Sequence, residues 1–206
     1  YKWNMGWMND SLRYIGADFH ERKDRHHLLN FPLLYAFSEN FILPFSHDEV
    51  VHGKKSLLDK MPGDYGQKFA GLRLLLCYQI TQPGKKLLFM GGELAQFIEW
   101  RYDRGLDWLL LDFEMHRKFH FFVRTINHLY LEKKSLWEID HVWDGFRWLD
   151  ADNNDESILI FMRQGKNQEE FVLVLLNFQP TGYRNYRMGV PFPGSYREIL
   201  NTDEER

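Results

Sequence analysis

Two short apolar runs, Phe41-Ile42-Leu43-Pro44-Phe45 and Lys86-Leu87-Leu88-Phe89-Met90, constrain the fold of this chain more than any other feature. Neither shows the alternation of a strand with one wet face. Each stops abruptly in polar or small residues, Ser46-His47-Asp48-Glu49 after the first and Gly91-Gly92-Glu93 after the second. Continuous apolar runs of this length belong to strands covered on both faces, the usual state of a parallel sheet. Between them, Gln67 to Ile80 reads as a buried helix, stopped by Gln82-Pro83-Gly84. Strand, helix, strand, with carboxylates at both C-terminal strand ends, is the pattern of a (β/α)8 barrel, whose active site lies on that face. Two strands make only part of such a barrel.

The flanking segments fit the same reading. In Gly6 to Ile15 the apolar residues Met8, Leu12 and Ile15 share one helix face. A polar stretch from Asp18 to Asn30 leads into Phe31 to Phe37, predicted as a helix with Pro32 near its first turn. Phe113 to Lys134 is predicted as a further helix. Beyond Trp137 the texture changes: Phe146-Arg147-Trp148-Leu149, Ser157 to Arg163 and Phe171 to Asn177 are β-rich, separated by Asp152-Asn153-Asn154-Asp155 and Gln164-Gly165-Lys166-Asn167. The expected fold class is α/β plus all-β, with barrel-type structure over 1–137 and an antiparallel β domain over 138–206.

Composition excludes several functions. A net charge of -3 and a pI near 6.3 leave no basic excess for neutralising phosphates, so a nucleic-acid partner is not expected. No apolar stretch reaches the roughly 20 residues needed to cross a bilayer, so no membrane span is expected. The single cysteine, Cys77, lies in the apolar run Leu72 to Tyr78, where it reads as a core thiol rather than a nucleophile. Aromatic residues reach 17% of the chain, a level that serves either to grip the apolar faces of sugar rings or to fill a core. Trp143 and Trp148 carry the same pair of readings, with core packing the commoner use. His116 and His120 have the helical spacing of a metal pair, but no third ligand accompanies them, and no metal is expected.

Asp48 stands where glycoside chemistry would place an anion. Cleavage through an oxocarbenium-like transition state needs a carboxylic acid for the leaving oxygen and a second carboxylate as nucleophile or base, and further anions help hold the developing positive charge. His47 beside it is suited to hydrogen-bond sugar hydroxyls. Spacing alone favours a loop or a helix cap, since polar residues are common at strand ends.

Longer motifs carry a resemblance. Leu43-Pro44-Phe45-Ser46-His47-Asp48-Glu49-Val50-Val51-His52-Gly53-Lys54-Lys55-Ser56 resembles the fourth signature region of the α-amylase superfamily in its branching-enzyme form. Lys2-Trp3-Asn4-Met5-Gly6-Trp7-Met8-Asn9-Asp10, Pro83 to Glu93, and Glu99-Trp100 near Leu106-Asp107-Trp108 are similar to stretches of the same family in the same order. This resemblance implies the C-terminal portion of a (β/α)8 TIM barrel followed by an incomplete β-sandwich domain. It also implies a cytoplasmic, monomeric transferase of glycogen biosynthesis that needs no cofactor. That enzyme cuts α-1,4 glucosidic bonds in glycogen, amylose or a starch-like polymer and passes the chain to a 6-hydroxyl, retaining configuration. Asp48 would be the transition-state stabiliser, His47 a sugar ligand, and Trp3, Lys54, Glu93 and Trp100 substrate contacts. Glu93 serves equally as a barrel-mouth ion pair, and Lys54 as a solvated lysine. The family's nucleophilic Asp and acid/base Glu fall upstream of Trp3, outside this chain, so the isolated piece is expected to be inactive. An amylase-type hydrolase and a non-catalytic glucan-binding piece are the alternatives.

Overall fold

The computed structural model describes residues 1–204. Strands β1 (Lys2–Trp3), β2 (Phe41–Phe45) and β3 (Lys85–Leu88) form a parallel sheet in that order, with Trp3 beside Ile42 and Phe45 beside Leu88. The two apolar runs are therefore neighbouring strands. A third, β1, joins them, too short for its two residues to show any pattern. β1 runs only beside Phe41 and Ile42, which leaves β2 with an unpaired flank at Pro44, where a residue lacking an N–H is tolerated.

Helix α1 (Met5–Ile15) follows β1 at once, because Asn4 ends the strand and its side chain accepts the Trp7 N–H at 2.9 Å. The segment beyond is more helical than its polarity suggests: a 3₁₀ turn over Phe19–Arg25, a single turn α2 (His27–Asn30), then a 3₁₀ turn over Phe31–Leu34. The helix expected over Phe31 to Phe37 is thus corrected to a four-residue turn. Pro32 stands at the start of this turn, where its missing N–H and its ring break continuity with α2 rather than end the turn itself.

Helix α3 (Tyr65–Thr81) starts at a reciprocal cap between Asp64 and Gln67 and packs on the sheet. Its buried Gln79 donates to the Leu43 and Leu87 carbonyls, both at 2.9 Å, tying helix to both strands. Trp7 of α1 stacks on Tyr78 of α3 with centroids 5.8 Å apart and meets Phe45 of β2 at 5.3 Å. Helix α4 (Glu114–Glu132) covers α3 with Phe119, Val123 and Ile126.

The remaining strands, β4 (Phe146–Asn153), β5 (Ile158–Gln164) and β6 (Phe171–Asn177), form an antiparallel meander. Its inner residues Phe146, Leu159, Phe161, Val174 and Leu176 belong to the same apolar cluster as Trp7, Leu75 and Phe119. Instead of the two sheets of a sandwich, the described residues after 137 contain this one sheet. Residues 178–204 form no strand, although Phe192 and Tyr196 meet Phe171 with centroids 5.3 and 6.0 Å away.

Two fully buried arginines fasten the parts together. Arg22 donates to the carbonyls of Ile15 at 2.7 Å and Phe178 at 2.5 Å. Arg163 donates to Gly145 O at 3.0 Å, Thr81 O at 2.7 Å and the Asp140 carboxylate at 2.8 Å, while Lys85 reaches the other Asp140 oxygen at 2.9 Å. Burial pushes the Asp140 carboxyl up, but the charges of Lys86 and Arg163 and hydrogen bonds from Lys85 and Arg163 outweigh it and hold Asp140 below the usual carboxylate range.

Candidate active site at the strand ends

The C-terminal end of β2 turns directly into a 3₁₀ turn, His47–Glu49, through a capping box. Ser46 Oγ accepts the Asp48 N–H at 3.3 Å, and Glu49 returns a carboxylate oxygen to the Ser46 N–H at 2.5 Å. This reciprocal cap decides which of three consecutive polar side chains faces solvent. Glu49 is buried by its capping role, whereas the side chains of His47 and Asp48 keep 48% and 57% of their exposure. His47 Nε2 lies 3.4 Å from Asp48 Oδ1, a long contact that orients the ring without fully occupying the carboxylate.

An aromatic wall stands beside this pair. The His47 ring lies 5.8 Å from Phe89 and 6.3 Å from Trp100, and Phe89 and Trp100 meet edge to face at 5.1 Å. Phe89 is fixed because its N–H donates to Phe45 O at 2.8 Å, which carries the sheet one step past the end of β3. A small apolar recess bordered by Phe45, Phe89, Ile98 and Trp100 lies beneath.

Of the predicted site residues, the fold brings together His47, Asp48 and Trp100. Glu93 sits in the 3₁₀ turn Gly92–Leu94 after β3 and accepts the Gly91 N–H at 2.9 Å, where Gly91 holds a φ of 90° that a side chain would strain. Among the described residues it forms a turn cap and no ion pair. Lys54 is exposed, and its carbonyl is held by the Lys60 ammonium. Trp3 is 43% exposed but pairs with Ile42, three residues before β2 ends, so no contact joins it to His47 or Asp48.

Trp143, expected in the core, is 50% exposed and rests on Phe37 at 4.6 Å; Trp148 is half-buried between Phe146 and Phe161. His116 is spent in the core, with Nδ1 2.9 Å from Leu94 O. Among the described residues no cluster of His, Cys, Asp and Glu could hold a metal ion. Sequence reading missed Glu49, Lys60 and the carboxylate of Glu99 as supports of this site. The Ser46-to-Glu49 spacing was the available signal for the first.

Comparison with known proteins gives the class first. Residues 148–206 match the family described as alpha amylase, C-terminal all-beta domain. A crystal structure of a mutant pullulanase from Paenibacillus barengoltzii complexed with maltotetraose shares the fold, with a TM-score of 0.66 at 15% identity over 86% of this chain and 32% of that one. Residues 148–206 are thus similar to an amylase C-terminal domain, and the likeness to the pullulanase is one of fold.

Over nearly its whole length the chain is similar to 1,4-alpha-glucan branching enzymes. It is 64% identical to the enzyme of Desulfitobacterium hafniense over 203 residues, covering 98% of this chain. Against those of Halothermothrix orenii and Bacillus cereus it is 57% and 58% identical over 206 residues. The chain spans about a third of the length of these curated relatives, 32%, 33% and 32% respectively.

Proposed function

We propose that this chain is the C-terminal portion of a monomeric, cytoplasmic 1,4-α-glucan branching enzyme, with the parallel sheet as part of a (β/α)8 barrel over 1–137 and the β domain over 138–206. The observation that carries this reading is the outward-facing His47–Asp48 pair at the end of a parallel strand, in a chain 64% identical to a branching enzyme. The substrate is an α-1,4-glucan, with no nucleic acid, membrane or cofactor involved. The nucleophilic Asp and the acid/base Glu reside in the rest of the protein.

Retaining transfer forms a glycosyl ester on the first carboxylate and releases the leaving chain protonated by the acid; a 6-hydroxyl of an acceptor then displaces the ester. In both steps positive charge grows at the sugar's anomeric carbon and ring oxygen. Asp48 is placed to oppose that charge. Its carboxylate is half exposed here, and a seated glucan would exclude water and strengthen the interaction. His47 orients Asp48 and offers its other ring nitrogen to a sugar hydroxyl, while Trp100 and Phe89 form the apolar side of the cleft. Trp3, Lys54 and Glu93 are assigned as outer substrate contacts.

The test is Asp48→Asn in the full-length protein, assayed on amylose by iodine stain and by reducing ends. Loss of branching by about 10²–10³-fold, the scale of removing one transition-state charge partner, is expected. Undiminished branching would refute the role of Asp48. An iodine shift without release of reducing ends marks branching; release of reducing ends by the unmutated protein would identify a hydrolase instead, and neither activity would leave a glucan-binding piece.

A further inference from the structure

The backbone following Asp48 is gripped from two sides by groups that the reaction itself does not use. Glu99, in the loop after β3, accepts the Gly53 N–H at 2.9 Å with one oxygen and the Lys55 N–H at 2.6 Å with the other. Its neighbour Trp100 donates its N–H to Val50 O at 2.8 Å while its ring stands 6.3 Å from His47. From the opposite side the Lys60 ammonium donates to Glu49 O at 2.7 Å, Lys55 O at 2.9 Å and Lys54 O.

Such support is needed because the segment is strained. Lys55 has a φ of 64°, and a non-glycine residue in that region persists only where its surroundings hold it, whereas Gly53 takes its φ of 81° freely. We propose that Glu99, with Lys60 opposite, is a positioning residue that fixes segment 49–55 and through it the orientation of His47 and Asp48. This inference rests on the branching-enzyme reading and assigns two residues to its machinery.

The chemistry of the contact is specific to a carboxylate. Two backbone N–H groups converge on it, so both of its oxygens must accept. The Lys55 and Gly53 N–H groups hold the Glu99 carboxyl below the usual carboxylate range, which keeps it ionised and doubly accepting across the neutral range. A glutamine offers one accepting oxygen and turns an NH₂ toward the other N–H. An aspartate keeps both acceptors on a shorter stem.

The experiment compares wild type, Glu99→Gln, Glu99→Asp and Lys60→Met in the full-length enzyme, reading kcat and KM on amylose and amide exchange of the 49–56 peptide by mass spectrometry. A misplacement of about 1 Å at a catalytic group costs on the order of 10²-fold, so kcat of Glu99→Gln is expected to fall about 10–100-fold. KM should stay within about twofold, because no contact to glucan is lost. The 49–56 peptide should exchange faster, and Glu99→Asp should recover part of kcat. Lys60→Met should behave like Glu99→Gln, with its apolar stem retained. Wild-type kcat in Glu99→Gln would overturn the proposal, as would a raised KM at constant kcat, which would make Glu99 a glucan ligand. A wild type that does not branch amylose would instead refute the proposed function, an outcome separate from unaffected variants of an active enzyme.

Discussion

Replacing Asp140 by alanine should destabilise the protein more than its position in an irregular linker suggests. The carboxylate side chain is fully buried between Arg163, itself at 0% exposure, and Lys85, which keeps 37%. The two contacts are unequal. Lys85 can regain water when its partner goes, so that half contributes little, in the range of about 0–1 kcal/mol for exposed pairs. Arg163 cannot. Its guanidinium would remain enclosed with only the Gly145 and Thr81 carbonyls as acceptors, and a buried charge stripped of its partner costs about 3–5 kcal/mol. With a urea m-value of about 2 kcal/mol/M, the midpoint of the transition exposing this core should drop by about 1.5–2.5 M.

A second substitution separates lost charge pairing from lost packing. Asp140→Ala combined with Arg163→Met removes both charges and fills the guanidinium site with an apolar chain, so most of the lost stability should return. The dependence on pH has a definite sign. Asp140 is held below its unfolded value of about 3.9, so its contribution is full above that pH and is lost as pH falls through the folded value. Wild type and Asp140→Ala should therefore converge only in acid. A midpoint shift corresponding to less than about 1 kcal/mol at pH 7 would refute the reasoning, because it would mean that Arg163 finds water or another acceptor.

Two further outcomes are expected. Gly145→Ala would place a Cβ 2.0 Å from the Ile139 carbonyl oxygen, forcing the backbone that also receives Arg163 to move; a loss of about 1–3 kcal/mol should appear as a lower Tm, and an unchanged Tm would show that the linker yields freely. Burial pushes the Cys77 thiol up to about 12, so an aromatic disulfide reagent should label it only after denaturation, and immediate labelling of the native protein would contradict its place in α3.

What the sequence disclosed and what it concealed divides by range. The strands at Phe41–Phe45 and Lys85–Leu88 were legible because a continuous apolar run leaves a local mark, although only Leu43 to Phe45 are buried and β3 is half-buried throughout rather than covered on both faces; His47 and Asp48 were legible because they interrupt that mark. α3 was bounded by its own cap and by Pro83. The helix over Phe31 to Phe37 failed because its apolar residues serve a four-residue 3₁₀ turn, of which only Pro32 and Leu33 are buried, rather than one long helical face. Arg22 and Arg163 were invisible for another reason. Their partners lie far along the chain, 156 residues away for Phe178 and 82 for Thr81, so no window of sequence contains the interaction. Glu99 was noticed within a motif, but its partners at Gly53 and Lys55 are 46 and 44 residues distant, and only the fold shows that its carboxylate is consumed by backbone.

The two ends of strand β3 do different work. Lys85, at its start, belongs to the buried charge network that fastens the antiparallel sheet; Phe89, just past its end, forms the wall beside His47. On the proposed barrel reading, conformational support at the N-terminal strand ends and reacting groups at the C-terminal ends are the usual division. The separation makes a paired expectation. Asp140→Ala should lower stability and leave kcat near wild type at a temperature where the protein is folded, while Glu99→Gln should lower kcat and leave the unfolding midpoint nearly unmoved. If Asp140→Ala instead depressed kcat in the folded protein, the two ends of β3 would be mechanically coupled, and the β domain would have to be counted as part of what holds the His47–Asp48 pair in place.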